Sequence, residues 1–164
     1  MKNIYIIGGT MGVGKTTVCQ SLKLILKNSV FLDGDWCWDM HPFQITGETK
    51  KMVLSNICSL LNNFIKCSAF ENIIFCWVMH EQSIIDTIIS CLDISDCRVI
   101  KVSLICDETV LRKRLKTDVD EGLRFTDVIE RSVSYLPLYE GLSTTKINVS
   151  NKSVKEIVEE IHEL

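Results

Sequence analysis

Residues 9 to 16 read Gly9-Thr10-Met11-Gly12-Val13-Gly14-Lys15-Thr16, a complete G-x-x-x-x-G-K-[ST] string. The chemistry it offers is phosphate binding. Glycines let the backbone curl around an anion without Cβ clashes, so that successive N–H groups converge on it. Lys15 would reach β- and γ-phosphates, and the Thr16 hydroxyl would ligate Mg²⁺. Such a string arises by chance on the order of once in a few hundred chains of this size, so its setting decides. Here the apolar run Ile4-Tyr5-Ile6-Ile7 precedes it and a helical segment follows. A strand delivers the loop, and the positive end of a helix dipole meets the anion. A glycine-rich turn without chemistry would need neither neighbour.

A second set of chemical groups closes the next apolar run, at Leu32-Asp33-Gly34-Asp35. Two aspartates flanking a glycine at a strand's carboxyl end point into similar space. Phosphoryl transfer needs a carboxylate to take or orient the acceptor hydroxyl, and another to anchor Mg²⁺ directly or through water. The competing reading is a polar turn, since Asp and Gly favour turns anyway. The phosphate loop already present favours chemistry. Trp36, Trp38, Met40, His41, Pro42 and Phe43 follow. Aromatic walls with a few polar groups suit a small organic ligand, and a flat ring would allow stacking. A lid packed on the protein itself is the alternative. Trp77 and His80 follow the third apolar run and face the same space by topology.

The elements that must position these groups alternate along the chain. Ile4–Gly8, Val30–Asp33, Asn72–Val78, Arg98–Ile105 and Lys146–Val149 read as strands. Helical spacing covers Lys15–Lys27, Glu48–Cys67, roughly 81–91, Glu108–Leu115, Thr126–Tyr139 and Ser153–Leu164, the last with Ser153 as N-cap and Glu156 completing a capping box. A polar stretch from 117 to 125 interrupts the pattern. Continuous apolar strands alternating with helices predict an α/β fold of three layers, α/β/α, around a five-stranded parallel sheet. Ligands of such sheets bind beyond the strands' carboxyl ends.

Bulk properties narrow the choice of partners. The 164 residues suffice for one domain with a real core, taken as 1–164. A net charge of −3 gives no global attraction to nucleic acid polymers or anionic membranes. No apolar stretch approaches the roughly 20 residues needed to span a bilayer. The first residues read directly as a core strand, with no room for a signal peptide, and a cytoplasmic location is expected. The eight cysteines form no C-x-x-C pair and read as structural free thiols, with Cys76 in a strand and Cys19 and Cys58 in helical segments, and the three scattered histidines suggest no zinc site.

A phosphate loop alone does not separate kinases from GTPases or hydrolysing ATPases. The nearest string to a guanine-reading Asn-Lys-x-Asp is Asn151-Lys152-Ser153-Val154, which lacks the aspartate. The strand Ile73-Ile74-Phe75-Cys76-Trp77-Val78-Met79 carries no terminal Asp-Glu pair. With its loop at 9–16, Leu-Asp-Gly-Asp at 32–35, Leu111-Arg112-Lys113-Arg114-Leu115 and the stretch Gly122-Leu123-Arg124-Phe125-Thr126-Asp127-Val128-Ile129-Glu130-Arg131, the chain resembles the P-loop small-molecule and nucleotide kinases. These include shikimate, gluconate, adenylylsulfate and nucleoside monophosphate kinases, and the likeness spans essentially the whole chain.

The resemblance implies the P-loop NTPase fold, ATP and Mg²⁺ as cofactors, and a small-molecule acceptor. Residues 9 to 16 with Thr17 and Arg114 would bind the nucleotide, and Thr16 and Asp33 would hold the metal. Lys15, Asp33, Asp35, Arg114, Arg124 and Arg131 form the candidate catalytic set. Asp33 would order the hydration shell of Mg²⁺ and Asp35 would contact the acceptor, although the spacing alone leaves their roles interchangeable. A small lid over about 116–125 would carry Arg124 and exclude water. Kinases of this kind commonly place an arginine where this chain has Asp118, and Arg124 is the candidate substitute. Arg112 reads as a solvated surface charge. A nucleoside or nucleotide acceptor is favoured over a sugar acid or an antibiotic. A nucleotide-binding module or ATPase without transfer remains the alternative class, with either a monomer or a homodimer as the assembly.

Overall fold

The computed structural model describes residues 1–164. Five strands, β1 (Lys2–Gly8), β2 (Ser29–Asp33), β3 (Asn72–Trp77), β4 (Cys97–Ile105) and β5 (Thr145–Asn148), form one sheet in the order β2-β3-β1-β4-β5. Every neighbouring pair is parallel. The helices are α1 (Lys15–Ile25), α2 (Gly47–Lys66), α3 (Gln82–Ser90), α4 (Glu108–Asp120), α5 (Val128–Tyr135) and α6 (Val154–His162).

The period-2 alternation of side chains sorts each strand between two cores. Ile4 and Ile6 of β1 join Ile73 and Phe75 of β3 on one face, under Val53, Ile57 and Leu61 of α2 and Ile85 and Ile88 of α3. Tyr5 and Ile7 point to the other face with Val102 and Leu104 of β4, under Val18 and Leu22 of α1, Leu111 and Leu115 of α4, and Ile157 and Ile161 of α6. Both faces are covered, which is why the strands read as unbroken apolar runs. Burying each such side chain contributes about 1.5–3 kcal/mol, and that burial fixes where the strand ends lie. No helix is long and apolar enough to cross a membrane.

Two boundaries differ from the sequence expectation. The helix expected to stop at Leu115 continues as α4 to Asp120. Residues 116–120 contain neither Gly nor Pro, and the stop comes at Gly122, whose φ of 73° is left-handed. There Gly122 N–H bonds to the carbonyl of Val119 and Leu123 N–H to that of Asp118, a Schellman closure. The non-helical part of the 116–125 segment is therefore confined to its second half. The helix expected over 126–139 is α5 followed by a 3₁₀ turn at Leu136–Tyr139, where Pro137 cannot supply an N–H. The Ser153–Glu156 capping box forms as the sequence predicts.

Candidate active site

The parallel register gathers the candidate residues along one rim. Gly8 at the end of β1 stands level with Trp77 on β3, and Asp33 at the end of β2 stands level with Cys76. The phosphate loop leaves β1 at the centre of this rim and enters α1. Its N-cap is Gly14, with φ 106°, no side-chain cap and no acidic residue in the first turn. Gly9 N–H bonds to the Val78 carbonyl and Val13 N–H to that of Thr10, while the amides of Gly12, Gly14, Lys15 and Thr16 make no bond to other backbone. A helix start with its donors uncommitted and its dipole unopposed suits an anion. Gly12 is obligatory here: at φ 80°, an added Cβ would lie 2.4 Å from Leu115 Cδ2.

Lys15 is 9% exposed and folds back over the loop, its ammonium donating to the Thr10 carbonyl at 3.0 Å. Burial lowers its pKa, opposed mainly by Cys76, Asp35 and Asp33. An incoming polyphosphate would compensate that buried charge. Thr10 in turn donates its hydroxyl to the Ser132 carbonyl at 2.8 Å, tying the loop to α5.

Asp33 is buried and divides its two oxygens. Oδ2 accepts the Thr16 hydroxyl at 2.7 Å, and Oδ1 accepts the amide of Asp35 at 3.0 Å. The two candidate metal ligands, from separate elements, are thus adjacent. One carboxylate beside one hydroxyl matches Mg²⁺, which keeps most of its coordination for water and phosphate oxygens. Asp35 stands at the opening of the neighbouring cleft, where the indole Nε1–H of Trp77 donates to its Oδ1 at 3.1 Å. Gly34 permits this contact, because a Cβ there would lie 2.6 Å from Trp77 Cγ. The residue is open to solvent on one side, yet protein surrounds the carboxyl on the others. That desolvation, followed by repulsion from Asp33, raises its pKa, against Lys15, the Trp77 hydrogen bond and Arg124.

The cleft beyond Asp35 has a volume of about 1170 Å³. Trp36, Trp38, Phe43, Trp77 and Tyr135 give it aromatic walls. Trp36 is anchored edge-on against Phe31 with 5.3 Å between ring centroids, and Trp38 packs against Phe43 at 5.8 Å. The aromatic segment after Asp35 therefore lines a cavity and does not simply pack on itself.

The arginines divide into distinct environments. Arg114 spans the loop and the last strand, donating to the carbonyls of Val13 at 3.1 Å and Val149 at 3.3 Å. Arg124 lines the cleft and is bonded to Asp118 at 2.9 Å, the position where the resembling kinases commonly have an arginine. Arg131 lines the cleft as well and pairs with Asp127 at 3.2 Å. Arg112 is held on the surface by Glu108 and Glu130. Thr17 lies exposed in the first turn of α1 and Met11 borders the cleft.

Sequence reasoning missed three contacts. The Trp77–Asp35 bond joins residues 42 positions apart, and only the strand register could reveal it. His80 stacks on Tyr135 with centroids 4.1 Å apart and planes within 7°, a pairing that the topology of the strands alone does not reveal. Met79, buried, adopts φ 42°, which for a non-glycine residue costs about 1–2 kcal/mol. That turn sits directly after β3, between Trp77 and His80, and the Tyr139 hydroxyl braces it by donating to the Val78 carbonyl.

Residues 6–130 match the AAA domain family. No curated protein matches the chain. Among solved structures, the chain is similar to a gluconokinase from Sinorhizobium meliloti 1021, with TM-score 0.70 and 18% identity over 97% of this chain and 89% of that one. It is also similar to the tunicamycin resistance protein of Deinococcus radiodurans, with TM-score 0.68 and 15% identity over 99% and 94% of the two chains. Shikimate kinase from Acinetobacter baumannii, in complex with shikimate, superposes with TM-score 0.65 and 20% identity over 99% and 92%. At these identities the likeness establishes the fold, a three-layer P-loop fold shared with small-molecule kinases.

Proposed function

The chain belongs to the AAA domain family and carries the P-loop fold of small-molecule kinases, and on that footing we propose that it is an ATP- and Mg²⁺-dependent phosphotransferase. Its acceptor is a small hydroxyl- or phosphate-bearing molecule, with a nucleoside or nucleotide favoured by the aromatic walls. One observation carries the reading. A continuous chain of hydrogen bonds runs from Thr16 to Asp33, from Asp33 to the amide of Asp35, and from Asp35 to Trp77. It links the phosphate loop to the opening of the aromatic cleft, as transfer between two bound molecules requires.

The residues divide the work as follows. The amides of the loop and Lys15 hold the β- and γ-phosphates, and Arg114 secures the loop against the end of β5. Thr16 and Asp33 hold Mg²⁺, which when bound neutralises charge on the phosphates. Asp35 orients the acceptor hydroxyl and takes its proton. The acceptor oxygen bonds the γ-phosphorus while the bond from that phosphorus to the β,γ-bridging oxygen breaks, and the electron pair leaves with ADP. Arg124 and Arg131, which line the cleft, would meet charge on the transferred group by exchanging Asp118 and Asp127 for it.

The test is phosphoryl transfer from γ-labelled ATP with a panel of nucleosides, nucleotides, sugar acids and aminoglycosides. Label in an organic product supports the proposal. Label only in inorganic phosphate, at a rate that no acceptor changes, contradicts it and identifies an ATPase. Nucleotide binding without turnover identifies a binding module instead.

A further inference from the structure

Charge around the aromatic cleft selects among acceptors. Three acidic side chains, Asp35, Asp39 and Glu81, and three basic ones, Lys50, Arg124 and Arg131, line it. Two of the bases are already matched by carboxylates just outside the lining, Asp118 at 2.9 Å and Asp127 at 3.2 Å. Counting those partners leaves the cleft with two net negative charges. The pairs are partly exposed, so each is worth no more than about 1 kcal/mol and can rearrange. Two further charges that act on Asp35, Lys15 and Asp33, cancel each other in this sum. A bound polyphosphate beside Asp33 and Asp35 would add further negative charge.

Size and lining point the same way. At about 1170 Å³ the cleft exceeds the roughly 300–1,000 Å³ of ordinary ligand pockets, far more than a compact sugar acid fills. Its walls combine the aromatic side chains with aliphatic ones such as Leu54 and Ile84. Both cleft arginines are held by carboxylates and are assigned to the transferred phosphoryl group, which leaves Lys50 as the lining cation for an anion on the acceptor itself, without the bidentate fork that carboxylates and phosphates favour.

We infer that the acceptor is an uncharged, ring-bearing alcohol of at least nucleoside size, and that this site discriminates against phosphorylated and carboxylated acceptors. This rests on the kinase reading and narrows it, choosing the nucleoside-like class over nucleotides and over the acids taken by sugar-acid kinases.

The experiment is calorimetric titration of the full chain loaded with Mg²⁺ and a non-hydrolysable ATP analogue. The probes are the matched pairs adenosine and AMP, guanosine and GMP, thymidine and dTMP, with gluconate as the sugar acid. Binding of the analogue reports on the phosphate loop separately from the acceptor. If the analogue fails to bind, the kinase reading falls and this inference with it. With the analogue bound, at least one uncharged probe should bind roughly tenfold or more tighter than its phosphorylated partner and than gluconate. An anionic probe that binds as tightly as its neutral counterpart, or failure of every uncharged probe, overturns the inference while leaving the kinase reading intact. The double variant Asp118→Asn, Asp127→Asn removes two negative charges and should narrow the gap between the pair by roughly threefold to tenfold. An unchanged ratio in a folded variant overturns the electrostatic basis.

Discussion

The hydroxyl of Thr16 donates to Oδ2 of Asp33 at 2.7 Å, joining the first turn of α1 to the end of β2. Neither residue is placed by its local sequence. The parallel sheet brings β2 beside β3, and β3 beside β1, so that the two strand ends share a rim. If this pair holds Mg²⁺, Thr16→Val, which keeps the shape and removes the oxygen, should weaken ATP binding by about tenfold in the presence of Mg²⁺. Without the metal, affinity should change little. Titrations with and without Mg²⁺ check this, and equal losses in both would remove Thr16 from the metal site.

Asp35→Asn keeps the acceptor for the Trp77 N–H and removes the base. The proposed role predicts a fall in kcat of about 10²- to 10⁴-fold, with the Kd for ATP nearly constant. Steady-state kinetics with an acceptor found by screening, alongside nucleotide titration, give both numbers.

The same substitution has a signed effect on stability. Burial and Asp33 raise the Asp35 pKa in the fold, so the native state binds more protons than the unfolded chain between the ordinary carboxylate value and the raised one. The wild type therefore loses stability as pH rises through that window. Asp35→Asn lacks the penalty. Its Tm should exceed that of the wild type at neutral pH, and the gain should vanish below the ordinary carboxylate pKa. A Tm difference constant from pH 3 to pH 8 would contradict this assignment of charge.

Trp77→Phe deletes the donor that opposes the upward shift of Asp35. The acid limb of the kcat profile should then move to higher pH while the KM for ATP stays within about twofold, in contrast to a merely structural loss. A pH profile that only scales down, without moving, would assign Trp77 to packing.

Backbone strain gives a further prediction. Gly12→Ala must adopt φ 80° and place a methyl 2.4 Å from Leu115, whereas Gly141 meets nothing within 4 Å. Gly12→Ala should cost about 2–4 kcal/mol and lower Tm by roughly 5–15 °C, against about 1 kcal/mol or less for Gly141→Ala. Thermal melts of the two variants decide it.

Much of the architecture is legible from residue types alone, because continuous apolar runs alternating with helical spacing leave few folds open. The loop at 9–16 is legible because its glycines, lysine and threonine are each required by contact with phosphate. What escaped the sequence depends on long-range register. Trp77 bonds to Asp35 only because β3 lies beside β2, and Gly34 looks like any turn glycine until the indole ring lies across it. The end of α4 lies beyond the sequence expectation because charged residues at 116–120 resemble a loop by composition, although nothing there breaks a helix before Gly122. Nor does the sequence show that Arg124, the candidate substitute for an arginine at 118, bonds to Asp118 itself.

Titration of the wild type and Lys15→Ala with ATP and Mg²⁺ tests the account most directly. Lys15 donates only to the Thr10 carbonyl, so its removal should leave the fold intact while depriving the phosphates of their buried cation. Saturable binding by the wild type, weakened at least about tenfold in a variant of unchanged circular dichroism, is the predicted result. Equal affinity in the two proteins, or no binding by the wild type, would contradict it.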